Sequence, residues 1–283
     1  MTLAAKRGRT LCVVHPLDGV RAKIARADEH AQLLEREVQA FFDRDPPPLG
    51  TSFGYFDPAS GWHLVYGFVR EAPPLRLGVI LGDLVHNVRS ALDHLVWQLV
   101  LLNGETPSRA NAFPIASTEG DWEAGVDRRL AGVSSNHRAI IQSVQPYKGP
   151  NGPENTYTAV LSHLSNVDKH RVVHATAAVI LDPGAGPHRA SFRVVEGDAE
   201  IVQEQVNLGE RVEHGAELMR ARTEPADSNI KVVVEGDVPG DIAFGERRVR
   251  FGYIKNLPQA ARVIVEQFEA DFPDAAHHPQ PSQ

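Results

Sequence analysis

Apolar positions in the first part of the chain fall into helical period. Ile24, Ala27, Ala31, Leu34, Val38 and Phe41 recur at steps of three and four, which predicts an amphipathic helix over residues 16–42. Asp45 and the prolines at 46–48 end it, because proline has no amide proton and restricts the residue before it. Aromatic and β-branched side chains then dominate 51–57 and 62–70, with a Pro- and Gly-containing turn between them, the pattern of a β-hairpin. Pro73 and Pro74 open a second long helix over 75–102, which Asn103 and Gly104 close. Short helices are expected at 120–131 and 135–143, and a longer one at 154–170. After Arg171 the period drops to two. Residues 172–181, 190–195, 201–208, 229–235 and 249–253 read as strands, most of them separated by Gly, Pro and Asp turns, an antiparallel signature. Helical period returns over 257–271.

These elements define an α+β fold: a helical bundle with an inserted β-hairpin, followed by an antiparallel β-sheet and a C-terminal helix. The expected organisation is a helical part, 1–171, carrying the hairpin at 51–70, and a β-rich part, 172–272, with its closing helix. The second part is either its own domain or a layer of the first, and the hairpin could join either one. The tail 273–283, with His277 and His278, is expected to be disordered.

The helix over 75–102 carries an unusual polar face. Ile80, Leu84, Val88, Ala91, Leu92, Leu95, Leu99 and Leu102 make its apolar side. Asp83, His86, Asn87, Ser90, Asp93 and His94 fall on the opposite arc, with Arg89 at its edge and Trp97 continuing the stripe. A solvated face is ordinarily Glu, Lys, Gln and Arg, whereas short hydrogen-bonding and titrating groups suit a site or a polar network. A second stripe, His163, Asn166 and His170, follows on the 154–170 helix, and the groove between the two helices is the expected site.

Three chemistries fit these residues. In the first, Arg89 holds a phosphate and His94 shuttles a proton in phosphodiester cleavage, with His86 and Asp93 orienting them. Asn87, Tyr147, Lys169, His170 and Arg171 are then candidate RNA contacts. Arg89 and His94 lie about 140° apart around the helix, so a second helix or subunit would complete the centre, and a homo-oligomer is the expected state. In the second, His86, Asp93, His163 and His170 supply ligands to a zinc- or iron-like ion. Ligands two turns apart on one helix are about 10 Å apart, so each helix could give only one. In the third, the stripe is a structural network built on the i, i+4 pair of Arg89 and Asp93. Bonds of Asp83 with Asn87 and of Ser90 with His94 would extend it, as would pairing of Asp168, Lys169 or Arg171 with Asp83 or Asp93. The protein would then be a non-catalytic binding or assembly protein. Trp62, Trp97 and Trp122 read as core or interface anchors, and Tyr147 as a packed residue with its hydroxyl bonded.

The spacing of Arg89 and His94 resembles the Arg-x4-His motif of the HEPN superfamily, small helical proteins that include many dimeric, metal-independent ribonucleases of toxin and antiphage systems. That resemblance implies ribonuclease activity without a cofactor, with Arg89 on the phosphate and His94 as acid/base. Ser90 stands where the family often has Asn, Asp or His. Over most of the helical half the chain also resembles a group of bacterial, largely actinobacterial, proteins. The matching pieces are GDLVHNVRSALDHL at 82–95, FPI at 113–115, QPY at 145–147 and NVDKHR at 166–171. This second likeness implies no particular activity.

Composition narrows the field. A net charge of −7 over 283 residues argues against coating nucleic acid by bulk charge. Cys12 is the single cysteine, which excludes an intramolecular disulfide and multi-cysteine zinc sites. P-loop, dinucleotide-fingerprint, nucleophile-elbow and HExxH patterns are missing. No apolar run reaches the ~18 residues of a membrane span and no signal peptide is evident, so a cytoplasmic, membrane-free protein is expected.

Overall fold

A computed structural model describes residues 15–52, 54–179, 191–206, 215–235 and 240–272. Cys12, His277 and His278 lie outside them. The fold is α+β, with helices leading the chain and a helix near its end. The helices are α1 (Asp18–Phe42), α2 (Leu75–Leu102), α3 (Glu119–Arg129), α4 (Ser135–Ser143), α5 (Tyr157–Asp168), α6 (Phe251–Ile254) and α7 (Leu257–Glu266). Single 3₁₀ turns occur at Pro146–Lys148, Pro153–Asn155 and Glu269–Asp271. The strands are β1 (Leu49–Thr51), β2 (Tyr55–Asp57), β3 (Trp62–Val69), β4 (Ala175–Val179), β5 (Ser191–Glu196), β6 (Glu200–Val206), β7 (Glu217–Glu224), β8 (Lys231–Glu235), β9 (Gly240–Phe244) and β10 (Val249–Arg250).

The chain forms two compact units, each assembled from separate segments. One takes the described residues of 1–28, 84–165 and 257–283; the other takes those of 29–83 and 166–256. The division therefore does not follow the 171/172 boundary read from the change of period.

In the first unit, Leu84, Val88, Ala91, Leu92, Leu95 and Leu99 of α2 are buried, as their spacing requires. So are Leu17 just before α1, Val20 and Ile24 of α1, and Leu257, Ala261, Ile264 and Val265 of α7. Arg21 donates to Glu269 at 2.9 Å, and Arg262 donates to Asp28. Helix α3 begins where the Thr118 hydroxyl accepts the Asp121 amide, and α4 where the Ser134 hydroxyl accepts the His137 amide. These caps satisfy amides that have no partner within the first helical turn.

In the second unit, β3 is central. It pairs antiparallel with β1 and β2 along one edge and with β7 along the other, and β6 follows β7. The hairpin thus belongs to the sheet of the β-rich half. A β5–β8 ribbon adds Phe192 and Val232, with Ile230 just before β8, to a core with Val65, Leu218, Met219 and Ala221. A third sheet runs β10-β9-β4. Gly78 sits under the chain that follows α5 and Gly82 under the last residue of α5: a Cβ would lie 2.0 Å from the Val173 carbonyl oxygen at Gly78 and 2.3 Å from Asp168 Oδ1 at Gly82.

Two strands, β7 and β9, were not expected. Residues 249–253, expected as a strand, are β10 for two residues and then turn into α6. There Phe251 and Ile254 are buried three residues apart while Gly252 is exposed, a helical burial pattern that aromatic content alone obscured.

Candidate functional site

Two residues of the polar stripe, Arg89 and Asp93, converge on one short segment of chain. Arg89 and Asp93, one turn apart on α2, form an ion pair with Nη2 and Oδ1 at 3.0 Å. The same guanidinium donates through Nη2 to the Phe113 carbonyl at 2.6 Å, and through Nε to Asp93 Oδ2 at 3.3 Å. Asp93 Oδ1 accepts the Phe113 amide at 2.8 Å. Both backbone polar groups of Phe113 are therefore held by this one pair, and its ring is fully buried. Only 21% of the Arg89 side chain is exposed.

A second clamp takes the next residues. Gln145, 1% exposed, follows α4 and accepts the Ala116 amide at 2.9 Å. Its Nε2 donates to the Pro114 and Ile141 carbonyls, each at 2.9 Å. Three buried backbone groups thus depend on one side-chain amide, each costly to leave unsatisfied away from water. The Tyr147 hydroxyl accepts Gln142 Nε2 at 2.9 Å, as expected for a bonded phenol, and the Lys148 ammonium lies 4.9 Å from its ring centroid. Upstream, Asn111 donates to the Arg129 and Ala131 carbonyls. The RSALD, FPI and QPY motifs are thus parts of one hydrogen-bonded assembly that fixes residues 111–116.

His86 and His94 are exposed, and Asn87 is half-buried. His163 is half-buried on α5. Lys169, His170 and Arg171 are exposed in the second unit, where Arg171 pairs with Glu246 rather than with an α2 carboxylate. Among the described residues no three His, Cys, Asp or Glu side chains come close enough together to hold a metal ion, so His86, Asp93, His163 and His170 do not form one ligand set. Trp62 and Trp122 are buried, but Trp97 is 43% exposed and is no core residue. No described helix is long and apolar enough to cross a membrane.

Sequence reasoning identified the Arg89–Asp93 pair but gave residues 113–116 and Gln145 no role in the site. A signal was present: Pro114 supplies no amide, so the backbone groups around it need partners from elsewhere. Comparison with known proteins finds no match, either to a family model or to a curated protein or solved structure.

Proposed function

We propose that this is a non-catalytic binding or assembly protein in which the Arg89–Asp93 pair is a structural clamp rather than a phosphate site. The observation that carries this reading is the double hold on Phe113. To grip a phosphate through the same two nitrogens, Nη2 would give up the Phe113 carbonyl and Nε would give up Asp93, leaving the carbonyl without its side-chain donor and the half-buried carboxylate with the Phe113 amide alone. Such losses cost roughly 1–3 kcal/mol each. The carboxylate beside the guanidinium also opposes binding of an anion there. Ribonuclease chemistry of the HEPN type needs Arg89 available to substrate, and this geometry does not favour that.

The test is incubation of the purified protein with RNA in EDTA, beside Arg89→Ala and His94→Ala variants checked by circular dichroism. The expected result is no cleavage by any of the three, with Arg89→Ala less stable and His94→Ala as stable as the wild type. Cleavage by the wild type that disappears in both folded variants, leaving 2′,3′-cyclic phosphate ends, would replace this reading with the ribonuclease one.

A further inference from the structure

We infer that Asn151 is a site of spontaneous covalent self-modification. There the chain converts its own Asn151–Gly152 pair to an aspartyl or isoaspartyl link, while the fold protects its other Asn-Gly pair, Asn103–Gly104. The site shares no residue with the Arg89–Asp93 clamp and stands whether or not that reading holds.

Asparagine is a labile side chain, and a following glycine makes it more so, because no Cβ crowds the amide nitrogen that attacks it. The chain holds two such pairs, at 103–104 and 151–152, and both belong to the first unit. Both asparagines are exposed, so access to water does not separate them. Their hydrogen bonds do. Asn103 Nδ2 donates to the Gly132 carbonyl at 3.0 Å, and the Gly104 amide donates to the Leu101 carbonyl at 3.0 Å. Electrophile and nucleophile are thus both tied down. In the second pair, neither the Asn151 carboxamide nor the Gly152 amide has a hydrogen-bond partner among the described residues.

The free pair lies within a closed loop. Gly149 sits against Thr156, where a Cβ would meet Cγ2 at 2.4 Å. Asn155 Nδ2 donates to the Asn151 carbonyl at 2.6 Å, and the Asn155 amide to the Gly152 carbonyl at 3.2 Å. Gly152 has φ 93° and ψ 148°, a region open essentially to glycine alone. A Cβ there would also lie 2.7 Å from Glu154 Oε1. The turn therefore demands glycine after Asn151, and the labile pair comes with it.

The step needs no reagent but water. Base takes the Gly152 amide proton, the nitrogen attacks Asn151 Cγ, and ammonia leaves, so a succinimide remains. Water then opens the ring at either carbonyl. Opening at Cγ gives aspartate on an unchanged main chain. Opening at the main-chain carbonyl gives isoaspartate, in which the chain runs through Cγ and the carbonyl that Asn155 Nδ2 holds becomes a carboxylate. Either product adds a negative charge.

Peptide mapping by mass spectrometry tests the inference on the full chain, incubated at pH 8 natively and in urea, with electron-transfer fragmentation to tell isoaspartate from aspartate. Natively, the peptide bearing residue 151 should gain the mass difference between water and ammonia and yield both products. With no hydrogen bond to break, its rate should lie within about threefold of that in urea. Residue 103 must break two hydrogen bonds first and should convert at least about tenfold more slowly than it does in urea. Lowering the pH to 6 should slow residue 151, since the attacking nitrogen must first lose its proton. Asn151→Gln, whose ring would need a further atom, should keep the circular dichroism of the wild type and lose the conversion. Native conversion of residue 151 slowed about tenfold or more from its rate in urea, aspartate as the sole product, or residue 103 converting natively as fast as residue 151 would each overturn the inference.

Discussion

His63 is fully buried on β3, and its tautomer follows from its neighbour. The Thr223 hydroxyl donates to the Pro225 carbonyl at 3.0 Å, so it receives the Nε2 proton of His63 across their 3.1 Å contact. Nδ1 is then bare, buried and without a partner among the described residues. Protonating it would place an unsolvated charge in the sheet, and burial accordingly holds the imidazole below its usual titration range. Between that lowered value and about 6.5 the unfolded chain binds more protons than the folded one. Stability therefore rises with pH through this window, and it begins to fall once pH drops below about 6.5. Urea midpoints at pH 7.5 and 5.5 should differ for the wild type, and the part of the difference due to this residue should vanish in His63→Gln. Gln145 makes a comparable residue-scale case: Gln145→Ala strands three buried backbone groups and, at about 1–3 kcal/mol for each, should cost roughly 3 kcal/mol or more in denaturant unfolding. Equal stability of that variant would mean that water or a shifted 113–116 segment replaces the amide.

Among the elements, long helices were the most legible part of the chain. An amphipathic helix writes its burial at three- and four-residue steps, and α1, α2, α4 and α5 lie close to their predicted limits. Strand β7 was missed although Met219, Ala221 and Thr223 point inward and Arg222 and Glu224 outward. Its inward row contains a small and a polar residue, so hydrophobicity alternates little even though burial does. The two glycines of α2 are a further element-scale feature. In an open helix Gly→Ala gains about 1 kcal/mol from propensity. Here the new methyl would meet the Val173 carbonyl or the Asp168 carboxylate well inside contact distance, and overpacking costs about 1–3 kcal/mol. Gly78→Ala and Gly82→Ala should therefore lower the thermal midpoint, whereas Gly19→Ala, where a Cβ meets nothing within 4 Å, should not. A raised midpoint in the first two would show that the segment after α5 gives way easily.

For the whole molecule, the division into units was not legible, because it depends on which distant segments share a core. The period change at 171 marks where strands begin, yet β3 of the early hairpin is the centre of the main sheet, and α7 near the end of the chain belongs with the start of α1. The candidate site was half legible. Local spacing exposed the Arg89–Asp93 pair; their third partner, a backbone carbonyl and amide twenty or more residues away, leaves no trace in side-chain identity. The central claim is that this pair exists to hold Phe113, and a double-mutant cycle of Arg89→Ala and Asp93→Ala by urea unfolding tests it directly. Each single variant should lose roughly 1–3 kcal/mol, and the double should lose less than their sum by at least about 0.5 kcal/mol, the coupling typical of contacting groups. Single variants as stable as the wild type, with additive effects, would contradict the clamp and return Arg89 to the list of groups free to bind a substrate.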